Sequence, residues 1–360
     1  MSALDSQAQA ELRFPWESAP AAGQVREVAD GVLWLRMPLP FGLDHINLYL
    51  LRHEHGWVVV DTGLATDASR DVWERVFVEV LEGRPILALV ATHFHYDHTG
   101  LLGWLADRFH CPVYMTQGEF QSMFVTPPQG DDPGWEFRQF YQRAGLDAAQ
   151  IESLLPVVRA SHYRIQQPHS YRRLREGSVL TIGERRWRVV IGSGHSPEHA
   201  CLYSEDDRLL ISGDQVLPRI TSSVCVGVTE PDANPLGEWL ESLRRLRVLP
   251  ADVLVLPAHE RPFVGLHERL LQLLKHHERH LENLVGNLRG AMTAAELRPL
   301  LFPRIKGPFD LLMSLGETLA HINFLVEEGS LVREPDGDAC RYRLRDAEVP
   351  SQGEPEAIHV

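Results

Sequence analysis

Apolar and polar positions alternate over His45-Ile46-Asn47-Leu48-Tyr49-Leu50-Leu51, the period-two pattern of a half-buried strand. Short apolar runs predict further strands at Gly31 to Arg36, Trp57 to Asp61, Ile86 to Ala91 and Cys111 to Met115. Another series follows at Ser178 to Ile182, Trp187 to Ile191, Ala200 to Tyr203, Arg208 to Ile211 and Asp252 to Leu256. Helical spacing appears between them. Val72, Val76 and Val80 mark Asp67 to Leu81, with Asp67 or Ser69 as the cap. Leu101 to Phe109 and Pro235 to Val248 read as two more helices. Alternating strands and helices predict a layered α/β fold.

The rhythm breaks at 117–173. Three helices are expected there, Glu119 to Val125, Trp135 to Ala144 and Asp147 to Val158, separated by loops at Pro127-Pro128 and Asp131 to Gly134. A helical insertion at this place would form a wall or lid. Its aromatics, Phe120, Phe124, Trp135, Phe137, Phe140 and Tyr141, either line an apolar pocket or pack the insertion on the body. His162, His169 and Tyr171 are further pocket candidates, and Tyr171, His169 and Phe124 are the substrate contacts expected first.

After Gly265 the pattern changes again. Leu266 to Leu288 is an amphipathic helix, with His276, His277 and His280 expected on its solvated face. Thr293 to Glu296 reads as a capping box. A helix over Leu311 to Gly329 and a hairpin of Leu331 to Arg333 with Arg341 to Leu344 follow. Helices ending in a hairpin resemble a winged-helix module. The chain therefore divides into a flexible lead-in at 1–25, a main domain at 26–265, a winged-helix-like domain at 266–346 and a disordered tail at 347–360.

Composition narrows the partners. The 360 residues are 44% hydrophobic and carry a net charge of −14, which disfavours nucleic acid and anionic membrane. Basic and acidic residues nearly balance after Leu266, so the winged-helix-like part has no electrostatic footprint for DNA. Cys111, Cys201, Cys225 and Cys340 form no CxxC pair and no disulfide framework. The N-terminus lacks the basic and apolar regions of a secretion signal, and no apolar run approaches the ~20 residues of a membrane span. These features predict a cytoplasmic protein, free of the membrane and compatible with a homodimer.

The chemistry lies in Thr92-His93-Phe94-His95-Tyr96-Asp97-His98-Thr99-Gly100. Three histidines and an aspartate fall within six residues, directly after a predicted strand. Imidazole and carboxylate together suit zinc and neighbouring first-row metals. A strand alternates its side chains, so a turn that fans these four groups serves two points in space better than one. His195, Asp214 and His259 each stand just past a later strand end. In layered α/β folds sites gather where such loops converge.

This order of residues, over Glu27 to Gly265, resembles the metallo-β-lactamase superfamily. The resemblance implies a four-layer αβ/βα sandwich. It implies one metal on His93, His95 and His195, a second on Asp97, His98 and His259, and Asp214 bridging both. Asp61, in Val58-Val59-Val60-Asp61-Thr62-Gly63, matches the superfamily's aspartate that braces the metal-binding turn. The cofactors expected are two divalent ions, zinc first, with iron or manganese as alternatives. A bridging hydroxide would attack a carbonyl or phosphorus, with Asp97 also orienting the nucleophile. The full set looks like the glyoxalase II branch. The expected substrate is a thioester, acyl-CoA or acyl-glutathione. An RNA phosphodiesterase, a lactonase, a non-catalytic metal-containing regulator and an iron oxygenase acting on persulfides are alternatives.

Overall fold

The structure is a computed structural model that describes residues 11–40, 42–125, 133–160 and 166–345. The expected loop positions Pro127, Pro128, Asp131 and Asp132, His162, the first ten residues of the lead-in and the acidic tail lie outside these residues.

Strands β1 (Val25–Ala29) and β2 (Val32–Pro38) form a hairpin that turns at Gly31, φ +67°. The strand expected at Gly31 to Arg36 is β2; β1, on the other side of the Asp30-Gly31 turn, was not expected. Strands β3 (His45–His53) and β4 (Gly56–Val60) continue the antiparallel run. Helix α1 (Asp67–Glu79) then crosses over to β5 (Ile86–Val90), parallel to β4. Thr66 caps α1 by accepting from the Ser69 amide, so neither expected cap, Asp67 or Ser69, holds that position. Short α2 (Tyr96–Thr99) and α3 (Leu102–Phe109) lead to β6 (Val113–Met115). The insertion supplies α4 (Gln117–Val125), α5 (Trp135–Arg143) and α6 (Ala148–Ala160) and returns at β7 (Arg172–Arg173). These strands make one seven-stranded sheet in sequence order.

The second sheet holds β8 (Val179–Ile182), β9 (Arg185–Gly192), β10 (His199–Ser204), β11 (Leu209–Gly213), β12 (Leu254–Pro257) and β13 (Phe263–Val264). Helix α7 (Pro235–Leu246) crosses between the parallel pair β11 and β12. β13, only two residues long, follows the strand expected to be last. The C-terminal part is α8 (Leu266–Asn287), α9 (Ala294–Leu301), α10 (Pro308–Glu327) and the hairpin β14 (Leu331–Asp336) with β15 (Ala339–Leu344). Thr293 and Glu296 close the expected capping box at α9.

Alternation explains the layers. Val32 and Trp34 of β2 face the second sheet, against Trp187, Val189 and Leu202. Leu33 and Leu35 face the other way, toward Trp73 and Val76 of α1 and Leu105 of α3. On β11, Leu209 and Ile211 join the inter-sheet core while Leu210 packs with Trp239 and Leu240 of α7. The result is the four-layer αβ/βα sandwich. The third core continues into the C-terminal helices and hairpin. It also takes in Phe137, Phe140 and Tyr141 of the insertion, so these three rings pack the insertion on the body. The Ala295 amide donates to the Ala144 carbonyl at 2.8 Å, tying α9 to the end of α5. No described helix is long and apolar enough to cross a membrane.

The expected solvated histidine face of α8 is covered. His277 is wholly buried beneath α10, and His276 and His280 are half-buried. Periodicity on α8 alone cannot show this, because the cover comes from 40 residues onward. The Nδ1–H of His321 donates to the Glu317 carbonyl at 2.8 Å. Its Nε2 therefore accepts from His277 Nδ1, 3.2 Å away. Burial first, then neighbouring imidazoles, pushes His277 down to about 2; burial also pushes His321 down to about 4. Both stay neutral when folded, whereas an unfolded imidazole takes a proton below about pH 6.5. Their contribution is thus complete above about pH 6.5 and is lost as pH falls toward the folded values. At pH 5 the loss is about 2 kcal/mol per imidazole. His277→Gln should remove about 2 kcal/mol of the difference between pH 7.5 and pH 5. Urea unfolding of metal-depleted protein checks this, and an unaltered pH dependence in the variant would refute it.

Candidate metal centre

Strand register sets the site. Val60 pairs with Val90, and Gly213 with Pro257, so four strands end at one rim of the sandwich. Asp61 follows β4 in the left-handed region, φ +60°. Its carboxylate accepts from the Thr92 amide at 2.8 Å, from Thr92 Oγ1 at 2.9 Å and from His98 Nδ1 at 2.8 Å. The loop after β4 thereby braces the loop after β5. Thr62 adds its amide and hydroxyl to the His98 carbonyl, each at 2.8 Å. Gly100 closes the turn, and a Cβ there would lie 2.7 Å from the Gly63 carbonyl oxygen, so no side chain fits.

Two groups of ligand atoms converge. His93 Nε2 lies 2.9 Å from His95 Nδ1 and 3.2 Å from His195 Nε2. His195 Nδ1–H donates to the Ser223 carbonyl at 2.7 Å, which leaves Nε2 as a lone pair. The second group is Asp97, His98 and His259. His259 Nδ1–H donates to the His45 carbonyl at 2.9 Å and His98 Nδ1 to Asp61, so both present Nε2. Asp214 stands between: Oδ2 is 3.5 Å from His195 Nε2, and Oδ1 is 3.6 Å from His98 and 3.4 Å from His259. Asp97 Oδ2 lies 3.4 Å from His259 and 3.7 Å from His98.

A divalent cation fits these donors. Burial, reinforced by neighbouring imidazoles, holds His93 well below its ordinary value and His95 at about 3, so both rings are neutral and each can offer a lone pair. Three imidazole nitrogens this close suit a shared cation, and tetrahedral zinc with bonds of ~2.0–2.1 Å spaces its nitrogens by about 3.3 Å. His98 Nε2 and Asp214 Oδ1 are buried without a hydrogen-bond partner among the described residues. At His98 burial lowers the pKa, but Asp97, Asp61 and Asp214 outweigh it and raise it well above the ordinary value. His259 is raised to about 10, because Asp214 and Asp97 overcome its burial. This excess of negative charge is what divalent ions would neutralise. The sequence expectations Asp61, His93, His95, Asp97, His98, His195, Asp214 and His259 are all brought together here.

Other site residues carry no sequence signal. His199 is buried, stacks on His93 at 4.8 Å and accepts the Asp214 amide at 3.1 Å. Gly213 permits this approach, since a Cβ there would meet the His199 ring at 2.5 Å. Glu119 of α4 is wholly buried and accepts from the Phe94 amide at 3.0 Å and the Glu198 amide at 2.7 Å. It ties two ligand loops together, and burial pushes it up to about 7 against those hydrogen bonds. Of the expected substrate contacts, Tyr171 is half-buried and stacks on Phe120 at 4.0 Å. Phe124 is exposed and touches Phe120 at 5.1 Å, and His169 is exposed.

A shared aspartate between two ligand triplets, at the rim of a four-layer αβ/βα sandwich, defines a metallo-hydrolase. The chain belongs to the metallo-beta-lactamase superfamily, whose family model matches residues 41–259; a second model, the metallo-beta-lactamase-like C-terminal domain, matches residues 281–345. It is similar to the crystal structure of a beta-lactamase domain protein from Burkholderia ambifaria, at 44% identity and a TM-score of 0.84, covering 93% of this chain and 98% of that one. It is 24% identical to the probable metallo-hydrolase YqjP of Bacillus subtilis, over 87% of this chain and 98% of that protein. It is 29% identical to the human acyl-coenzyme A thioesterase MBLAC2, over 53% of this chain and 65% of that protein.

Proposed function

We propose that this metallo-hydrolase uses two zinc ions to cleave thioesters, with acyl-CoA or acyl-glutathione as the substrate class. The observation that carries the hydrolytic reading is the Asp214 carboxylate, which offers one oxygen to each ligand group. Similarity to an acyl-coenzyme A thioesterase supports the thioester. When bound, the two ions would supply a nucleophilic hydroxide and a Lewis acid for the carbonyl oxygen. The chain's residues do the rest. Asp61, Ser223 and His45 fix the imidazole tautomers through their hydrogen bonds to His98, His195 and His259. Asp97, its side chain 23% exposed, faces the site opening and orients the attacking water. The Phe94 ring lies 4.6 Å from His95 and packs, as do the stacked Phe120 and Tyr171, against the same core; these partly buried rings would receive the acyl part.

The test is free-thiol release from acyl-CoAs of several lengths and from lactoylglutathione, on protein with quantified metal. Wild type should turn over at least one thioester, and His95→Ala should lose both metal and turnover. Full activity in a His95→Ala protein that has lost metal sinks the mechanism. Fully loaded protein that cleaves no thioester sinks the substrate class.

A further inference from the structure

A cleft of about 800 Å³ opens between helix α8 and the loop that follows Asp214. Arg219, Arg269, Lys275 and Arg279 line it against one carboxylate, Glu278. This is anomalous in a chain of net charge −14 that contains only two lysines. Two of the cations are committed. Arg269 donates to the Leu217 and Ile220 carbonyls, and Arg219 pairs with Glu260 at 3.4 Å. Lys275 and Arg279 are exposed, stand one helical turn apart on α8 and make no ion pair among the described residues; Arg279 Nε donates to the Lys275 carbonyl at 3.2 Å, which leaves its two terminal nitrogens for a ligand.

The cleft adjoins the metal centre through one short loop. Ile220 and Thr221 line the cleft. Ser222 Oγ donates to the Asp214 carbonyl, and the Ser223 carbonyl accepts from His195. Two residues span at most about 8 Å between Cα atoms, so the cleft wall and the ligand-holding carbonyl are near neighbours. Glu260, which holds Arg219, directly follows His259.

We infer that this cleft binds the phosphates of a phosphorylated carrier thiol, the nucleotide end of coenzyme A, while the thioester lies at the metal centre. Two cations without a carboxylate partner, at i and i+4, match phosphate oxygens by charge and spacing. The pantetheine arm of coenzyme A sets its phosphates apart from its thioester, so a cleft beside the metal centre, rather than at it, is the place for them. A small anion suits the site better than RNA, because the negative surface beyond the cleft repels a polyanion. This inference rests on the thioesterase reading and narrows it from two carriers to one.

Adenosine 3′,5′-bisphosphate carries the phosphates without the thioester. Calorimetry on zinc-loaded, full-length protein should show it binding, with affinity falling as salt rises. Lys275→Ala and Arg279→Ala should each weaken binding about tenfold, the value of one charge-assisted contact. Both residues are exposed, and thermal unfolding confirms that the variants fold. The preference for an acyl-CoA over the same acyl N-acetylcysteamine thioester should also fall about tenfold in each variant. No binding by wild type, or binding that neither variant weakens, overturns the assignment. So does a single-stranded oligoribonucleotide that binds more tightly than the bisphosphate and depends on the same two residues. Binding that follows the variants in a protein without thioester turnover upholds the cleft and removes the thioesterase reading.

Discussion

Asp214→Asn should leave at most one metal ion per chain and lower kcat/KM by on the order of 10³. The carboxylate faces His195 with one oxygen and His98 and His259 with the other. Asparagine keeps the volume and leaves the backbone amide bonded to His199. What it removes is one negative charge between two sites that are each to hold a dication. Their mutual repulsion is then less offset, and the second ion to bind is held poorly. Elemental analysis after gel filtration counts the ions, and hydrolysis of the best wild-type thioester gives the rate. Two ions with unaltered turnover would show that Asp214 does not bridge.

Asp61→Ala should destabilise the metal-free protein by about 3–5 kcal/mol. Asp61 is 2% exposed and accepts from Thr92 twice and from His98 once. Alanine leaves the Thr92 amide and His98 Nδ1 buried without that acceptor. The position has φ +60°, which alanine tolerates less well than aspartate, adding about 1 kcal/mol. Asp61→Asn retains an acceptor for Thr92 and should lose roughly half as much. Urea midpoints of the metal-free proteins decide it; a loss below about 1 kcal/mol for the alanine variant contradicts the bracing role.

The ligand-type residues are legible in sequence because each stands directly beyond an apolar run. His93 to His98, His195, Asp214 and His259 need only strand prediction and donor chemistry to be seen together. Glu119 and His199 are illegible for the opposite reason. Glu119 sits in the first turn of a helix, where acidic residues are common. His199 opens a strand. Their roles arise only when two loops distant in sequence meet. The same reasoning separates the insertion's aromatics. Helical periodicity shows that Phe137, Phe140 and Tyr141 bury a face, but the partner is the C-terminal core, contributed over 90 residues later. The α8 histidines fail in the same way, since α10 covers them.

Arg269 limits what could replace the C-terminal part. Only 7% exposed, it reaches from the first turn of α8 to two carbonyls of the loop that begins at Asp214. A foreign tail grafted after Gly265 would have to return a guanidinium to that spot or leave the loop untethered.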